Sequence, residues 1–319
     1  MADKRVTLRD VAAAAGVSRA TAGFVLSDAP GISISAATRE RVRETARDLG
    51  YVPHSIARAL REGSSRIVVL VIDSGYEGNY SRTFTRGLDE ELAAHGHVLL
   101  VRHGHSGQGS QQRLIEAVAP RAVLRMPDYL APGHELDDGG WNGGLAGNIE
   151  VQLRYLADRG HTGLAVAIPE GDPPLGPVRL RFAREAASRI GLPPPPALTV
   201  PQDRAGAANA IQTFIDAHAN EHPKDHANVH ARVTAIAAVD DDVALRILAG
   251  LRDLGLSVPG DLAVIGFDDT DYGALFSPTL TTVHIDAEDH GRRTARMILG
   301  LDSDGFVAAP ATVIVRESA

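Results

Sequence analysis

Three groups of residues in this chain have types and spacings that could do chemistry. The first is "SRATAGFVLS", residues 18–27. Arg19 there could give a guanine edge two parallel hydrogen bonds, while Ser18 and Thr21 could donate to phosphates. The second is a set of charges at the ends of apolar runs: Asp73 after "IVVLVI", Asp240 to Asp242 after "TAIAAV", Asp268 and Asp269 after "LAVIGF", and Arg125 interrupting "AVLRMP". An ionised aspartate accepts from hydroxyls and an arginine donates to ring or acid oxygens, so such a set suits a polyhydroxylated ligand. Taken singly, each aspartate is more simply a loop or helix-cap carboxylate. The third is His218, His222, His226 and His230, whose fourth-residue spacing would align metal ligands on a helix. Pro223 falls inside that run, which therefore reads as an exposed insertion and not as a metal site.

Other chemistries find less support. Asp240 to Asp242 lack the further oxygen ligands and the glycine of a hard-cation loop. "HGHSGQGS", residues 103–110, has glycines but none of the strand, lysine and helix context of a phosphate loop. No cofactor or metal is implied, and no histidine pairs recognisably with a serine nucleophile. There is no cysteine. Thiolate ligands and cysteine nucleophiles are therefore excluded, and no oxidising compartment is needed.

The elements that must position these residues fall into two kinds. Thr7 can cap a helix with Asp10 in its first turn and Leu8, Val11, Ala12 and Ala15 on one face; Gly16 can end it. Ser18 can cap a second helix to about Leu26, with Thr21, Ala22 and Val25 small enough for close crossing. Two short helices joined by a glycine turn make a helix-turn-helix, whose second helix enters the major groove with its N-terminal residues against base edges. A third helix is expected over residues 35–49, with Val42, Ala46 and Leu49 buried and Gly50 as its stop. Beyond Pro53, Ser55 can cap a short segment containing Ala57, Arg58, Leu60 and Arg61. It is too short to persist alone in water and suits a minor-groove wedge, the leucine unstacking a base step while the arginines follow phosphates; an amphipathic linker is the plainer alternative.

From Arg66 onward short apolar runs alternate with helical stretches. "IVVLVID", "HVLLVRH", "AVLRMP", "LAVAIPE", "ALTVPQ", "TAIAAVDD" and "LAVIGFDD" lack strict alternation and read as strands buried on both faces, with helices such as "RTFTRGLDEELAAHG" and "ANAIQTFIDAHA" between them. This pattern predicts parallel sheets covered on both faces, and ligands in such sheets sit beyond the carboxyl ends of the strands. At this length two facing halves are expected in preference to one large sheet.

Charge divides the chain in the same place. The 319 residues carry a net charge of -8, yet residues 1–66 hold 11 lysines and arginines against 7 aspartates and glutamates. A basic module on an acidic body implies that only the module approaches a polyanion. Every apolar run falls short of the roughly 20 residues that span a bilayer, and "MADKRVTLRD" lacks a signal-peptide core. A cytoplasmic protein is expected.

"VTLRDVAAAAGVSRATAGFVLS" followed by "ISAATRERVRETARDLGYVPHSIARAL" resembles the headpiece and hinge of the lactose-repressor and galactose-repressor family of bacterial regulators. The likeness continues to the C-terminal stretch "LRDLGLSVPGDLAVIGFDDTDYGALFSPTLTTVHIDAEDHGRRTARMIL". It implies an all-α helix-turn-helix headpiece over 1–52, a hinge over 53–65, and an α/β effector and dimerisation domain over 66–319. The last comprises two doubly wound parallel-sheet subdomains of periplasmic-binding-protein type, one of about 66–164 plus 284–301, the other of about 165–283 plus 302–319. The implied function is that of a repressor, not an enzyme: a homodimer on a palindromic operator, controlled by a small effector in the cleft. Thr7, Ser18, Arg19, Ala20, Thr21, Phe24, Ser55, Ala57, Arg58 and Leu60 are then the DNA-contacting set. Arg181, Asp268, Tyr80 and Asp240 match effector-site positions of the family and join Asp73 and Arg125.

The chain also departs from that pattern. Ala22, Gly23 and Ser27 stand where valine, serine and asparagine are usual, and Phe24 where a polar or basic base-reading residue is frequent. An apolar contact, as to a thymine methyl, suits Phe24 better than a hydrogen bond, and packing on the third helix is its alternative role. In "HELDDGGWNGGLAGNIEVQLRYLADRGH" Gly144 replaces an expected aspartate and Asn148 a usual glycine, and the preceding connection is short; Trp141 could be a substitute stacking group or loop packing. These departures keep two alternatives open: a DNA-binding regulator without effector response, and an enzyme fused to a DNA-binding module.

Overall fold

The computed structural model describes residues 6–26, 33–51, 65–72, 78–104, 108–126, 141–171, 176–219, 232–306 and 309–319. Contacts divide the chain into two compact units, one of Met1–Arg66 with Gln111–Arg121, the other of Ile67–Ser110 with Ala122–Ala319.

The first unit contains helices α1 (Leu8–Ala14), α2 (Arg19–Leu26) and α3 (Ala36–Asp48). Thr7 starts α1 by donating both its N–H and its hydroxyl to the Asp10 carboxylate, at 2.8 and 2.7 Å. Gly16, at φ 65°, makes the turn. No Cβ is present there to oppose the left-handed conformation. The Ser18 hydroxyl accepts the Thr21 N–H at 3.0 Å and so begins α2. Val11, Ala22 and Val42 are wholly buried, one from each helix, and Ala12, Ala15, Val25 and Ala46 complete the core. Arg41 reaches from α3 to the Ala15 carbonyl at 3.1 Å, satisfying an acceptor at the end of α1. Leu49 departs from expectation: it is 38% exposed. The chain turns at Gly50, φ 64°, and Tyr51 packs on the core in its place.

The second unit carries two parallel sheets. β1 (Ile67–Ile72) lies between β2 (Val98–His103) and β3 (Ala122–Arg125). β4 (Leu164–Pro169), β5 (Ala197–Val200), β6 (Ala235–Ala238) and β7 (Ala263–Ile265) are ordered β5-β4-β6-β7. All seven apolar runs thus form strands. β1, β6 and β7 are buried throughout or nearly so, as their unbroken apolarity requires. An antiparallel pair, β8 (Thr282–His284) and β9 (Thr312–Ile314), completes the strands among the described residues.

The remaining helices among the described residues are α4 (Asn79–Ala94), α5 (Gln108–Val118), α6 (Trp141–Asp158), α7 (Gly176–Arg189), α8 (Arg204–Ala219), α9 (Asp241–Asp253) and α10 (Glu288–Leu299), with a 3-10 turn at Asp271–Leu275; most of α5 groups with the first unit. α4 and α10 pack on each other through a reciprocal pair of glycines. A Cβ on Gly87 would stand 2.0 Å from the Glu288 carbonyl oxygen, and one on Gly291 2.1 Å from that of Phe84. α6 belongs with the second sheet: the buried Gln152 donates to the Ala238 and Gly266 carbonyls at 2.8 and 2.9 Å, and the Tyr155 hydroxyl to the Ala319 carbonyl at 2.9 Å. A boundary at 164, expected from sequence, would assign this helix to the first half.

Candidate functional site

On the headpiece, helix geometry sorts α2 into two faces. Ala22 and Val25 turn inward, whereas Arg19, Ala20 and Phe24 are exposed. Ser18 and Thr21 are spoken for locally: their hydroxyl oxygens lie 2.8 Å apart, in addition to the cap bond. Thr7 is likewise engaged by Asp10. The exposed surface left to meet a partner is one cation followed by small and apolar groups. Ser55, Ala57, Arg58 and Leu60 of the hinge lie outside the described residues, as does Asp73.

In the second unit, the carboxyl ends of β6 and β7 converge on buried charge. Asp240 follows β6 and caps α9, its Oδ1 accepting the Val243 N–H at 2.7 Å. Asp241 is wholly buried and accepts from the Thr270 N–H at 2.6 Å and the Thr282 hydroxyl at 2.5 Å. Gly266 makes this possible, since a Cβ there would lie 2.1 Å from Asp241 Oδ1. Asp268 and Asp269 follow β7 with φ of 94° and 43°, left-handed values that side chains resist. Asp268 Oδ1 accepts the Tyr80 N–H at 2.7 Å, and its carbonyl accepts the Asn79 N–H at 3.2 Å. Gly78 leaves the room, because a Cβ would stand 1.5 Å from Asp268 Oδ2.

Burial dominates the electrostatics of this cluster. Desolvation raises Asp268 to about 7 and Asp241 to about 6, and it raises Asp240 as well. The hydrogen bond from Tyr80 and the charge of Arg179 act on Asp268 in the opposite direction. Arg179 is itself 8% exposed, donates to the Val239 carbonyl and sets its guanidinium 4.3 Å above the Phe267 ring. A buried cation beside ionisable carboxylates at strand ends can bind a polar ligand and neutralise it at the same time.

Two of the sequence-expected effector residues have other surroundings than this buried charge. The Arg181 side chain is 62% exposed, with its guanidinium 3.9 Å from Glu185. Two residues along a helix is about 200° of rotation, so Arg179 and Arg181 cannot share a face. The missed signal was periodicity: Arg179, Phe182, Ala183, Ala186 and Ala187 form the buried stripe of α7. Tyr80 does meet Asp268, but through its backbone. Its ring stacks on Phe84 at 6.1 Å between centroids, and its hydroxyl lies 2.7 Å from His290 Nδ1 on α10. Burial, and secondarily the charge of Arg293, lowers His290 to about 4, so a neutral imidazole shares this hydrogen bond with the phenol. Arg125 takes the last position of β3, in register with Val71 of β1.

Of the remaining motifs, His218 sits on α8 with Nδ1 2.8 Å from the Phe214 carbonyl, while His222, His226 and His230 lie outside the described residues. Among the described residues no three histidines, aspartates or glutamates are grouped to hold a metal. Trp141 begins α6, and Gly144 and Asn148 are half-buried on it.

Comparison with known proteins agrees with this division. Residues 7–54 match the bacterial regulatory proteins of the lacI family, and residues 153–319 match the periplasmic binding protein-like domain. The ribose operon repressor of Escherichia coli strain K12 is 26% identical over 312 residues, 89% of each chain. The transcriptional repressor CytR of the same organism is 25% identical, over 92% of this chain and 89% of its own. Among solved structures, the lac repressor dimer bound to operator and an anti-inducer superposes with TM-score 0.69 at 21% identity, covering 99% of both chains. The complex of the regulator CelR with cellobiose gives 0.59 at 25% identity, over 99% of this chain and 100% of that one. The chain belongs to the periplasmic binding protein-like domain family through residues 153–319, and ahead of that domain it carries a helix-turn-helix headpiece that matches the lacI family of bacterial regulatory proteins over residues 7–54.

Proposed function

We propose that this chain is a transcriptional repressor that binds a palindromic operator as a homodimer and is controlled by a small polar effector between the two halves of its second unit. The carrying observation is the meeting of Asp240, Asp268 and the buried Arg179 at the ends of β6 and β7, against the first turn of α4. Carboxylates accept from ligand hydroxyls and the guanidinium donates to ring or acid oxygens, which favours a sugar-like ligand. Cellobiose, the ligand in the complex of the structural neighbour CelR, is of that class.

Arg19, Ala20 and Phe24 are assigned to base edges, and Ser18, Thr21 and Thr7 to cap positions near the phosphates; the hinge residues Ser55, Ala57, Arg58 and Leu60 are assigned to the minor groove. A ligand that favours one arrangement of the halves over another changes operator affinity by that difference in binding free energy. No catalytic step enters this reading. No helix among the described residues is long and apolar enough to cross a membrane, and a cytoplasmic regulator meets both its operator and its effector. For the domain division, α6 is assigned to the second half, which places the boundary before residue 141.

One observation favours a second reading, a regulator that no longer senses a ligand. Asp268 is already satisfied within the chain by Tyr80, and three strands form the first sheet among the described residues where four form the second. Operator binding by gel shift, with and without a panel of pentoses, hexoses, disaccharides and nucleosides, separates the two. A change in affinity with one ligand class supports the first reading; affinity indifferent to all, with no thermal shift, supports the second.

A further inference from the structure

The exposed face of α2 makes a statement about the sequence it reads. Along that helix the exposed side chains are Arg19, Ala20 and Phe24. Phe24 is 41% exposed, on a helix whose core contacts are supplied by Ala22 and Val25. The two hydroxyls nearest the front, Ser18 and Thr21, are joined to each other at 2.8 Å, and the Ser18 oxygen also holds the Thr21 N–H. Gly23, beside Phe24, brings no donor. Among the described residues of α2, no side chain at the Phe24 end can read adenine or cytosine by hydrogen bonds.

The occupant of this face follows from charge and shape. Residues 1–66 carry 11 lysines and arginines against 7 aspartates and glutamates, and the helix-turn-helix presents α2 to a groove. In the major groove the base edges offer one apolar group, the C5-methyl of thymine, which 5-methylcytosine shares. Resting on the DNA-binding function proposed above, we infer that Phe24 reads a pyrimidine C5-methyl, and that Arg19 reads a guanine about two base steps away. The separation comes from the five positions by which they differ along α2, a rise of about 7.5 Å against roughly 3.4 Å per base step. Discrimination at the Phe24 position is then by the methyl group alone, and it survives replacement of thymine by 5-methylcytosine.

The test uses the full chain and a preferred duplex selected by it from a random-sequence pool. That duplex is resynthesised with each thymine replaced singly by deoxyuridine, which removes the methyl and nothing else. One thymine per half-site is expected to show a loss of about three- to tenfold, the scale of one buried methyl. Phe24→Ala is expected to abolish that sensitivity, Phe24→Leu to retain part of it, and 5-methylcytosine paired with guanine at that site to bind more tightly than cytosine. Indifference to every deoxyuridine substitution overturns the inference, as does a methyl effect that persists in Phe24→Ala. A lower melting temperature for Phe24→Ala with equal loss on all duplexes overturns it in favour of packing. Selection of no preferred sequence overturns the DNA-binding function itself, which distinguishes that failure from this one.

Discussion

Asp268 and Tyr80 join the two halves of the second unit: the carboxylate that follows β7 accepts the backbone N–H in the first turn of α4 at 2.7 Å. Asn79 adds a second link, its N–H reaching the Asp268 carbonyl at 3.2 Å, while its side-chain amide donates at 2.7 Å to the Ile285 carbonyl on the segment that leads into α10. A buried acid that follows β7 thus meets the first turn of a helix of the opposite half. In the proposed ligand-binding role, a ligand hydroxyl donating to Asp268 would share this carboxylate with Tyr80, which would couple ligand binding to the contact between halves.

This coupling has a pH signature. Asp268, raised to about 7, and Asp241, raised to about 6, bind protons more tightly folded than unfolded, where they titrate near 3.8. The native state therefore holds the extra protons between about pH 4 and 7, and stability falls as pH rises through that window. Asp268→Asn, which keeps the shape and cannot ionise, is expected to flatten the decline in melting temperature between about pH 5 and pH 8. Parallel curves for the variant and the unsubstituted chain would remove Asp268 from this linkage.

Arg179 and Arg181 are expected to behave oppositely. Arg179→Met leaves Asp240 and Asp268 without their buried cation and should cost about 2–4 kcal/mol, with weakened ligand response. Arg181→Met, at an exposed position, should change stability by less than about 0.5 kcal/mol and leave the response intact. Chemical denaturation with ligand titration checks both, and the reverse ranking would restore Arg181 to the site.

At Gly23 the headpiece carries an avoidable cost. A Cβ there would meet only the Leu8 Cδ2 at 3.6 Å, an ordinary contact. Gly23→Ala should stabilise α2 by about 0.5–1 kcal/mol, read as a raised headpiece melting temperature by circular dichroism. A loss of stability would mean that α1 and α2 pack more closely than this spacing allows.

Gly87 and Gly291 are predicted to tolerate nothing larger. A methyl at either would meet backbone of the opposing helix near 2 Å, and backbone cannot swing aside as a side chain can. Either change to alanine should destabilise the second unit by about 2 kcal/mol or more, or prevent soluble expression. Gly147, where a Cβ meets nothing within 4 Å, is the control and should accept alanine without loss.

What the sequence disclosed follows the same physics. β1, β6 and β7 were legible because parallel strands covered on both faces must be apolar throughout, as in "IVVLVI" and "AIAA", whereas β2, read from sequence as buried on both faces, is exposed at both ends and half-buried between. The headpiece was legible because Thr7, Gly16 and Ser18 are the residue types that helix ends require. Side-chain direction was less so. Two arginines stand two apart on one helix, and only the buried stripe of α7 shows that Arg179 is the enclosed one and Arg181 the exposed one. The turn of the Tyr80 hydroxyl toward His290 depends on α10, over 200 residues later in the chain. Nor could the pattern of α6 reveal which sheet it would join, since that is set by Gln152 meeting two strand-end carbonyls.

Coupling of operator binding to a ligand is read from one titration. The full chain is bound to its selected palindromic duplex at fixed salt, and affinity is measured across the panel of sugars and nucleosides, with Arg179→Met alongside. A change of about fivefold or more with one ligand class, lost in Arg179→Met while duplex affinity without ligand is kept, is the predicted result. Equal affinity for all duplexes, or a preferred duplex whose affinity no ligand alters, would contradict it.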